Sequence, residues 1–334
     1  MTRTVTGLSL AVAIVLAACS GNAGAPLAAE SGVCLKATFV LANPAGLVCL
    51  DDAGKPLGRL LELPSQAAPS FPSLDPSGKQ IVFAITKAPD SKTGFGTDIE
   101  AVNIDGTGHR VIVAHEAENV FYDSPRYDAT GTFLYFHRNA AVVKDGKYVG
   151  NDSTIERLNV RTSERVRLLK DAADPTVSAD GKTIVFIHLT NGQSDGIWTA
   201  DSEGGGAKPL IRDTFFYLQT PRFSPVGDDL VFCGAGHNAA PVTPGGGAIR
   251  APGRMPHLAH LGIPSELFSL KADGTGLRSL VQTSDDTVPA WSRDGSRIAY
   301  ISTGGLFVLT VKDGAVRTLA SGQDFFFGDL AWLK

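Results

Sequence analysis

PAWSRDGSRIAY, residues 289–300, carries the pattern that decides the fold. A proline opens it, an aromatic or apolar residue follows two places on, a polar stretch leads to a glycine at the seventh place, and an apolar run closes it. The same twelve-residue pattern stands at Pro72 (PSLDPSGKQIVF), Pro125 (PRYDATGTFLYF), Pro175 (PTVSADGKTIVF) and Pro221 (PRFSPVGDDLVF). The glycine is seventh in all five copies, and the spacings are 53, 50, 46 and 68 residues. Repeats of that period build solenoids, propellers or arrays. Within one copy, the segment at the proline reads as a short strand. The glycine supplies the positive φ of a hairpin turn without steric cost, and the β-branched and aromatic run after it reads as a buried strand.

A second pattern follows each copy: an apolar strand, a turn and another strand. Its six instances begin near Leu47, Ile99, Ile155, Ile197, Leu267 and Leu306. The two halves together make four antiparallel strands, the content of one propeller blade. The first half occurs five times and the second six times, so one first half is missing. The C-terminal Leu330-Ala331-Trp332 matches Pro289-Ala290-Trp291 as a first strand, and Thr38–Leu41 reads as the second strand beside it. The expectation is an all-β fold: a six-bladed β-propeller with four-stranded antiparallel blades over residues 33–334, its ring closed by N- and C-terminal strands so that no sheet edge stays open.

These repeats resemble those of the TolB-type propeller family. The residues that carry the likeness are Pro289-Ala290-Trp291-Ser292-Arg293-Asp294-Gly295 with Ile298-Ala299-Tyr300, and the outer hairpin Ala272-Asp273-Gly274-Thr275-Gly276. The resemblance implies the fold. It does not imply the activity, because one fold hosts unrelated functions. TolB carries an α/β domain before its propeller, whereas a short tether precedes Val33 here, so TolB's role in the Tol–Pal envelope system is not carried over.

The first segment reads as an address. Arg3 supplies a positive charge, and residues 8–18 (LSLAVAIVLAA) are apolar but too few to span a bilayer. Leu16-Ala17-Ala18-Cys19 resembles the lipobox of bacterial lipoproteins. That resemblance implies a signal peptide over residues 1–18, a lipidated Cys19 as the first mature residue and stable membrane anchoring by several acyl chains. Residues 19–32 are the tether, small and polar after the cysteine. Ser20, where an Asp would signal inner-membrane retention, leans toward the outer membrane or cell surface. The rest of the composition fits: 37 Gly, 19 Pro and 2 Met suit short strands and tight turns. With charged residues at 19% and a net charge of −4, the basic face that a nucleic-acid partner would need is not expected.

No catalytic motif stands out: there is no Gly-x-Ser-x-Gly, His-Glu-x-x-His or phosphate loop. His137 and His188 follow the second strands at offsets one residue apart, which would set them on opposite faces. His257 and His260 lack a third ligand nearby, so neither a metal nor a cofactor is expected. Gly234–Pro264 lengthens one spacing to 68 and should lie between the second and third strands of its blade, at the mouth of the central channel. It holds Arg250, Arg254, His237, His257 and His260 and no acid. One reading is an arm for an anionic ligand or partner; the other is a Gly/Pro-rich excursion with no role. The aromatic clusters Phe121-Tyr122, Phe215-Phe216-Tyr217 and Phe325-Phe326-Phe327 precede first strands on the same face, partly as packing between blades. Phe216, Tyr217 and Phe326 join the loop as the candidate surface for a protein or glycan partner. Asp123, Asp174 and Asp329 stand just before first strands near the channel mouth, among starts that are otherwise small or apolar; they read as solvated acids, with a channel cation as the alternative.

Cys233 follows Val231-Phe232 and reads as an inert core thiol. Cys34 and Cys49 belong to the closing blade and would lie in an oxidising compartment; a disulfide between them is one reading, although hairpin register alone does not set them opposite each other. The functional expectation is a lipid-anchored extracytoplasmic scaffold without catalysis, which binds an envelope protein or surface polymer. The alternative is an extracellular hydrolase or lyase acting on a sugar or lactone at the channel mouth.

Overall fold

The structure, a computed structural model, describes residues 32–212, 214–237, 264–322, 325 and 328–334. After a 3-10 turn at Val33–Lys36, the chain is nearly all strand. The strands are β1 (Phe39–Asn43), β2 (Gly46–Leu50) and β3 (Pro56–Arg59); β4 (Ala68–Leu74), β5 (Gln80–Thr86), β6 (Gly96–Asn103) and β7 (Arg110–Val113); β8 (Val120–Tyr127), β9 (Phe133–Lys144), β10 (Lys147–Asn159) and β11 (Arg165–Lys170). There follow β12 (Ala172–Val177), β13 (Thr183–Thr190), β14 (Gln193–Asp201) and β15 (Lys208–Arg212); β16 (Tyr217–Phe223), β17 (Asp229–Ala235), β18 (Ser265–Lys271) and β19 (Arg278–Thr283); and β20 (Ala290–Trp291), β21 (Arg297–Ser302), β22 (Gly305–Thr310), β23 (Val316–Ser321) and β24 (Asp329–Trp332).

Antiparallel pairing groups these into β24-β1-β2-β3, β12-β13-β14-β15, β16-β17-β18-β19 and β20-β21-β22-β23, together with one larger sheet. The larger sheet holds β4–β7 and β8–β11, joined by a two-residue parallel contact of Gly96 and Thr97 with Val120 and Phe121. β24 lies antiparallel on β1, with Phe39 opposite Trp332 and Leu41 opposite Leu330. The first strand of each group is its leading strand. Leading strands pack on one another: β24 on β4, β4 on β8, β8 on β12, β12 on β16 and β20 on β24.

The repeat explains the turns. Gly78, Gly131, Gly181, Gly227 and Gly295, the five seventh-place glycines, all have φ between 68° and 76°. A side chain would be strained at that φ, and at Gly295 a Cβ would come within 2.4 Å of Val226 Cγ2. The fourth residue of each copy is Asp or Ser, and it ties the turn shut. Asp75 Oδ1 accepts from Gln80 N at 2.7 Å, Asp128 Oδ1 from Phe133 N at 2.9 Å, and Ser292 Oγ from Arg297 N at 3.0 Å.

The apolar runs are buried on both faces, so they are continuous rather than alternating. On β5, Ile81, Phe83 and Ile85 pack toward Val40, Leu47 and Cys49, whereas Val82 faces Tyr122, Leu134 and Phe136. The same face-to-face packing recurs along the chain. Tyr135 and Ile155 pack with Ile184 and Phe186; Val185 and Ile187 with Leu230 and Phe232; Val231 and Cys233 with Ile298 and Tyr300. Finally Ala299, Ile301 and Leu306 pack with Phe39, Leu41 and Trp332, which joins the last group to the first.

Three sequence expectations need adjusting. Gly234 and Ala235 are still strand, paired across β16, because the β17 ladder continues through them; the long connection starts at Gly236. It does run from the second to the third strand of its group. His137 and His188 lie inside β9 and β13 rather than after them. The β9–β10 hairpin reaches further than the repeat suggests, and exposes Val143, Tyr148 and Val149 near its tip.

Candidate functional site

Four leading strands share a distortion at the residue before the proline. Phe71, Ser124, Asp174 and Thr220 have φ of 50°, 51°, 49° and 52°, and the ladder register slips at each. Residues before proline ordinarily prefer extended backbone, and left-handed backbone costs about 1–3 kcal/mol at a non-glycine residue. The four equivalent distortions are tied by side chains from neighbouring leading strands. Asp329 Oδ2 accepts from Phe71 N at 2.8 Å, and Asp174 Oδ2 accepts from Thr220 N at 3.3 Å. Ser124 Oγ donates to the other oxygen of Asp174 at 2.5 Å, and Thr220 Oγ1 donates to Thr287 O at 3.3 Å. Asp174 on β12 thus ties β8 to β16.

Asp123, Asp174 and Asp329 are all buried, at 8%, 4% and 3% exposure. The expectation of solvated acids is therefore corrected: the slipped register leaves backbone amides without a ladder partner, and Asp174 and Asp329 turn inward to take them, while Asp123 turns inward to an imidazole. Asp123 meets His137 Nδ1 at 3.0 Å. Burial alone would lower the His137 pKa, but the Asp123 carboxylate outweighs it, and the imidazole is held above its ordinary value.

Two residues beyond Ser124 and Thr220 stand Arg126 and Arg222, each directly after its proline. Both guanidinium groups fold back in the same way: NH1 donates to the preceding proline carbonyl at 2.8 Å, Pro125 in one case and Pro221 in the other. Arg126 is half-buried; Arg222 is 5% exposed. Nε and NH2 of Arg222 are buried and have no hydrogen-bond partner among the described residues. Burial pushes both guanidinium groups below their ordinary value, Arg126 further because Arg222 is a like charge; the neighbouring Asp174, Asp329 and Asp123 act in the opposite sense and do not restore it. Both arginines run against the expectation that first-strand starts are small, apolar or acidic. The signal was available: aligning the copies at their proline puts Arg in the next place twice.

The other candidate residues are scattered. Cys19, Arg250, Arg254, His257, His260 and Phe326 lie outside the described residues. Phe216 is 53% exposed beside half-buried Phe215, which packs edge-on against Phe232 and Phe268. Tyr217 is half-buried, and its hydroxyl donates inward to Gln219 Oε1 at 2.7 Å; burial raises its pKa. Tyr122 is core, its hydroxyl donating to Glu116 and accepting from Arg165. His188 stacks on Trp198 and pairs with Asp195 at 2.7 Å, so it shares no site with His137. Among the described residues no three His, Cys, Asp or Glu side chains form a group that could hold a metal ion, and no helix is long and apolar enough to cross a membrane. Cys34 and Cys49 form a disulfide with Cα atoms 5.3 Å apart. Cys49 pairs with Val40 in the hairpin, and Cys34 reaches it from the 3-10 turn packed beside β2. Cys233 is a buried free thiol whose pKa burial pushes up to about 12.

No family model and no curated protein sequence matches the chain. Solved structures do. TolB from Acinetobacter baumannii superposes with a TM-score of 0.62 at 17% identity, over 88% of this chain and 65% of that one. A TolB candidate from Agrobacterium tumefaciens gives 0.55 at 18% identity, over 84% and 90%. A chain of a nidogen/laminin complex gives 0.50 at 13% identity, over 72% and 79%. This chain thus spans about 65% of the length of the A. baumannii TolB. At these identities the likeness defines the fold: the chain is a TolB-like β-propeller.

Proposed function

We propose that this protein is a lipid-anchored, extracytoplasmic binding scaffold: a six-bladed propeller closed through β24 and β1 that holds an envelope protein or surface polymer without catalysis. The supporting observation is the state of the central acids. General acid–base chemistry needs carboxylates or imidazoles directed at a reacting group. Asp174 and Asp329 are instead engaged by backbone amides, and Asp123 by His137. The TolB-like fold is consistent with a binding role, and one superposing chain comes from a nidogen/laminin complex. The packing of the last group of strands on the first supports six blades and closure. On this reading Cys19 carries the lipid, and Arg250 and Arg254 belong to an arm beside exposed Phe216.

The test is capture of partners from solubilised envelope by the tagged mature chain, wild type against Arg250→Glu with Arg254→Glu, at two ionic strengths. Charges at a rim act mainly on association and are screened within about 8–10 Å at physiological salt. The expected outcome is a specific partner whose capture weakens in the double variant, most at low salt. Turnover of an added oligosaccharide or lactone by the purified chain, with no partner captured, would favour the hydrolase or lyase alternative instead.

A further inference from the structure

The geometry points to the centre of the leading strands as a carboxylate-binding site, with Arg222 as its anchor and Arg126 as its second contact. This rests on the scaffold reading and deepens it by naming the chemistry that the scaffold receives. Arg222 is the first observation. A guanidinium that is 5% exposed has two nitrogens, Nε and NH2, without a protein partner. These two form one edge of the planar group, the edge that a carboxylate meets with two parallel hydrogen bonds. The third nitrogen is used to aim it, through the bond to Pro221 O. Burying donors unpaired costs stability, so two open donors on one edge call for a partner from outside the protein, and an anion with two oxygens in one plane matches both at once.

Recurrence is the second observation. Arg126 stands at the equivalent place two strand groups away, tethered to Pro125 O at the same 2.8 Å, and remains half-open to solvent. Asp174 lies between the two, bonded to Ser124 and Thr220, which sit two residues before Arg126 and Arg222. The third observation is that the surrounding acids do not serve the arginines as their hydrogen-bond partners. Asp174 and Asp329 take backbone amides, and Asp123 takes His137. Their charge still acts at a distance. It opposes any incoming anion, a doubly charged phosphate more strongly than a singly charged carboxylate. The downward push that burial exerts on both guanidinium groups, against the three acids, agrees with charge left under-compensated.

A carboxylate can come from a peptide C-terminus or from an acidic sugar, and the experiment separates them. Purified mature protein is titrated by calorimetry and thermal shift with a short peptide bearing a free C-terminus and with its C-terminal amide. Glucuronate is compared with glucose in the same way, and inorganic phosphate serves as the control. The expected result is binding of one acid probe, with none by its neutral twin and none by phosphate. Arg222→Gln should weaken that binding about 10-fold to 100-fold, the loss of a charge-assisted pair. Arg126→Gln, at the half-open twin, should weaken it less and serves as the variant of record if Arg222→Gln does not fold. The proposal is overturned if neither acid is distinguished from its neutral twin by the wild type, or if the arginine variants bind the acid as the wild type does. Partner capture that survives in Arg222→Gln while acid binding is missing would end this site and leave the scaffold standing. Acid binding with no partner captured would do the reverse.

Discussion

Arg138 and Arg222 are buried to nearly the same degree, 8% of the side chain exposed in one and 5% of the residue in the other, yet their charges are treated in opposite ways. Arg138, on β9, meets Glu116 at 2.8 Å and Asp152 at 3.2 Å, and lies 3.9 Å from Glu156. Around it Arg165 bonds Glu156 and the Tyr122 hydroxyl, and Arg167 reaches Glu156 at 3.2 Å. Burial alone would lower the Arg138 pKa; Glu116 outweighs it, and the pKa is raised. Arg222 sits among three acids that are bonded elsewhere, and its pKa is lowered. The lesson is that proximity of charge is not compensation. The outer ladder closes its hydrogen bonds within the protein and reads as structure, whereas the centre keeps two donors open and reads as a site.

Deleting Asp329–Lys334 has the largest expected effect, because it removes β24, with buried Leu330, Trp332 and Leu333 and the amide cap of Phe71, and uncovers Phe39, Leu41 and Ile301. At about 1.5–3 kcal/mol for each large apolar side chain, the loss is comparable with the whole stability of a typical domain. Melting temperature and monomer yield by size-exclusion chromatography would check it. A deletion that melts like wild type would mean that the centre is not held from the C-terminal strand.

Glu156→Gln sharpens the outer half. Its carboxylate is 1% exposed and is shared by Arg165 and Arg167. Losing a buried charge-assisted partner costs about 1.5–3 kcal/mol, and urea denaturation would show the fall in midpoint at constant slope. A variant as stable as wild type would reduce the ladder to a decorated surface.

A smaller effect concerns pH. The His137 pKa is raised in the folded state by Asp123. A raised pKa contributes stability that is fully present below the unfolded value, about 6.5, and is lost as pH rises through the folded value. Wild type should therefore lose stability on going upward from about pH 6.5, and His137→Gln should flatten that part of the profile. Parallel profiles for the two proteins would remove His137 from the centre's electrostatics.

The repeat makes much of this legible and conceals the rest. The five prolines and seventh-place glycines mark where strands begin and turn, and Leu330-Ala331-Trp332 shows its likeness to Pro289-Ala290-Trp291 before any pairing is seen. Left-handed backbone at Phe71, Ser124, Asp174 and Thr220 could not be read, because a residue before proline favours the opposite conformation. That distortion is what turns Asp174 and Asp329 from apparent surface acids into amide caps. Arg126 and Arg222 were visible in the alignment of the copies, but arginine in a turn-rich chain reads as surface until burial is known.

The most direct measurement is the thermal unfolding of Arg138→Met beside Arg222→Met, in a buffer free of carboxylate ions. Arg138→Met should destabilise by about 2 kcal/mol, since it takes the buried guanidinium from Glu116 and Asp152 and leaves them only the Tyr122 hydroxyl and Arg167. Arg222→Met should hold or gain about 1 kcal/mol, since it replaces a buried, half-unpaired charge by an apolar side chain of similar reach. Opposite signs are the predicted result. Two losses of similar size would contradict the account, and would place Arg222 among the residues that hold the fold rather than those that await a ligand.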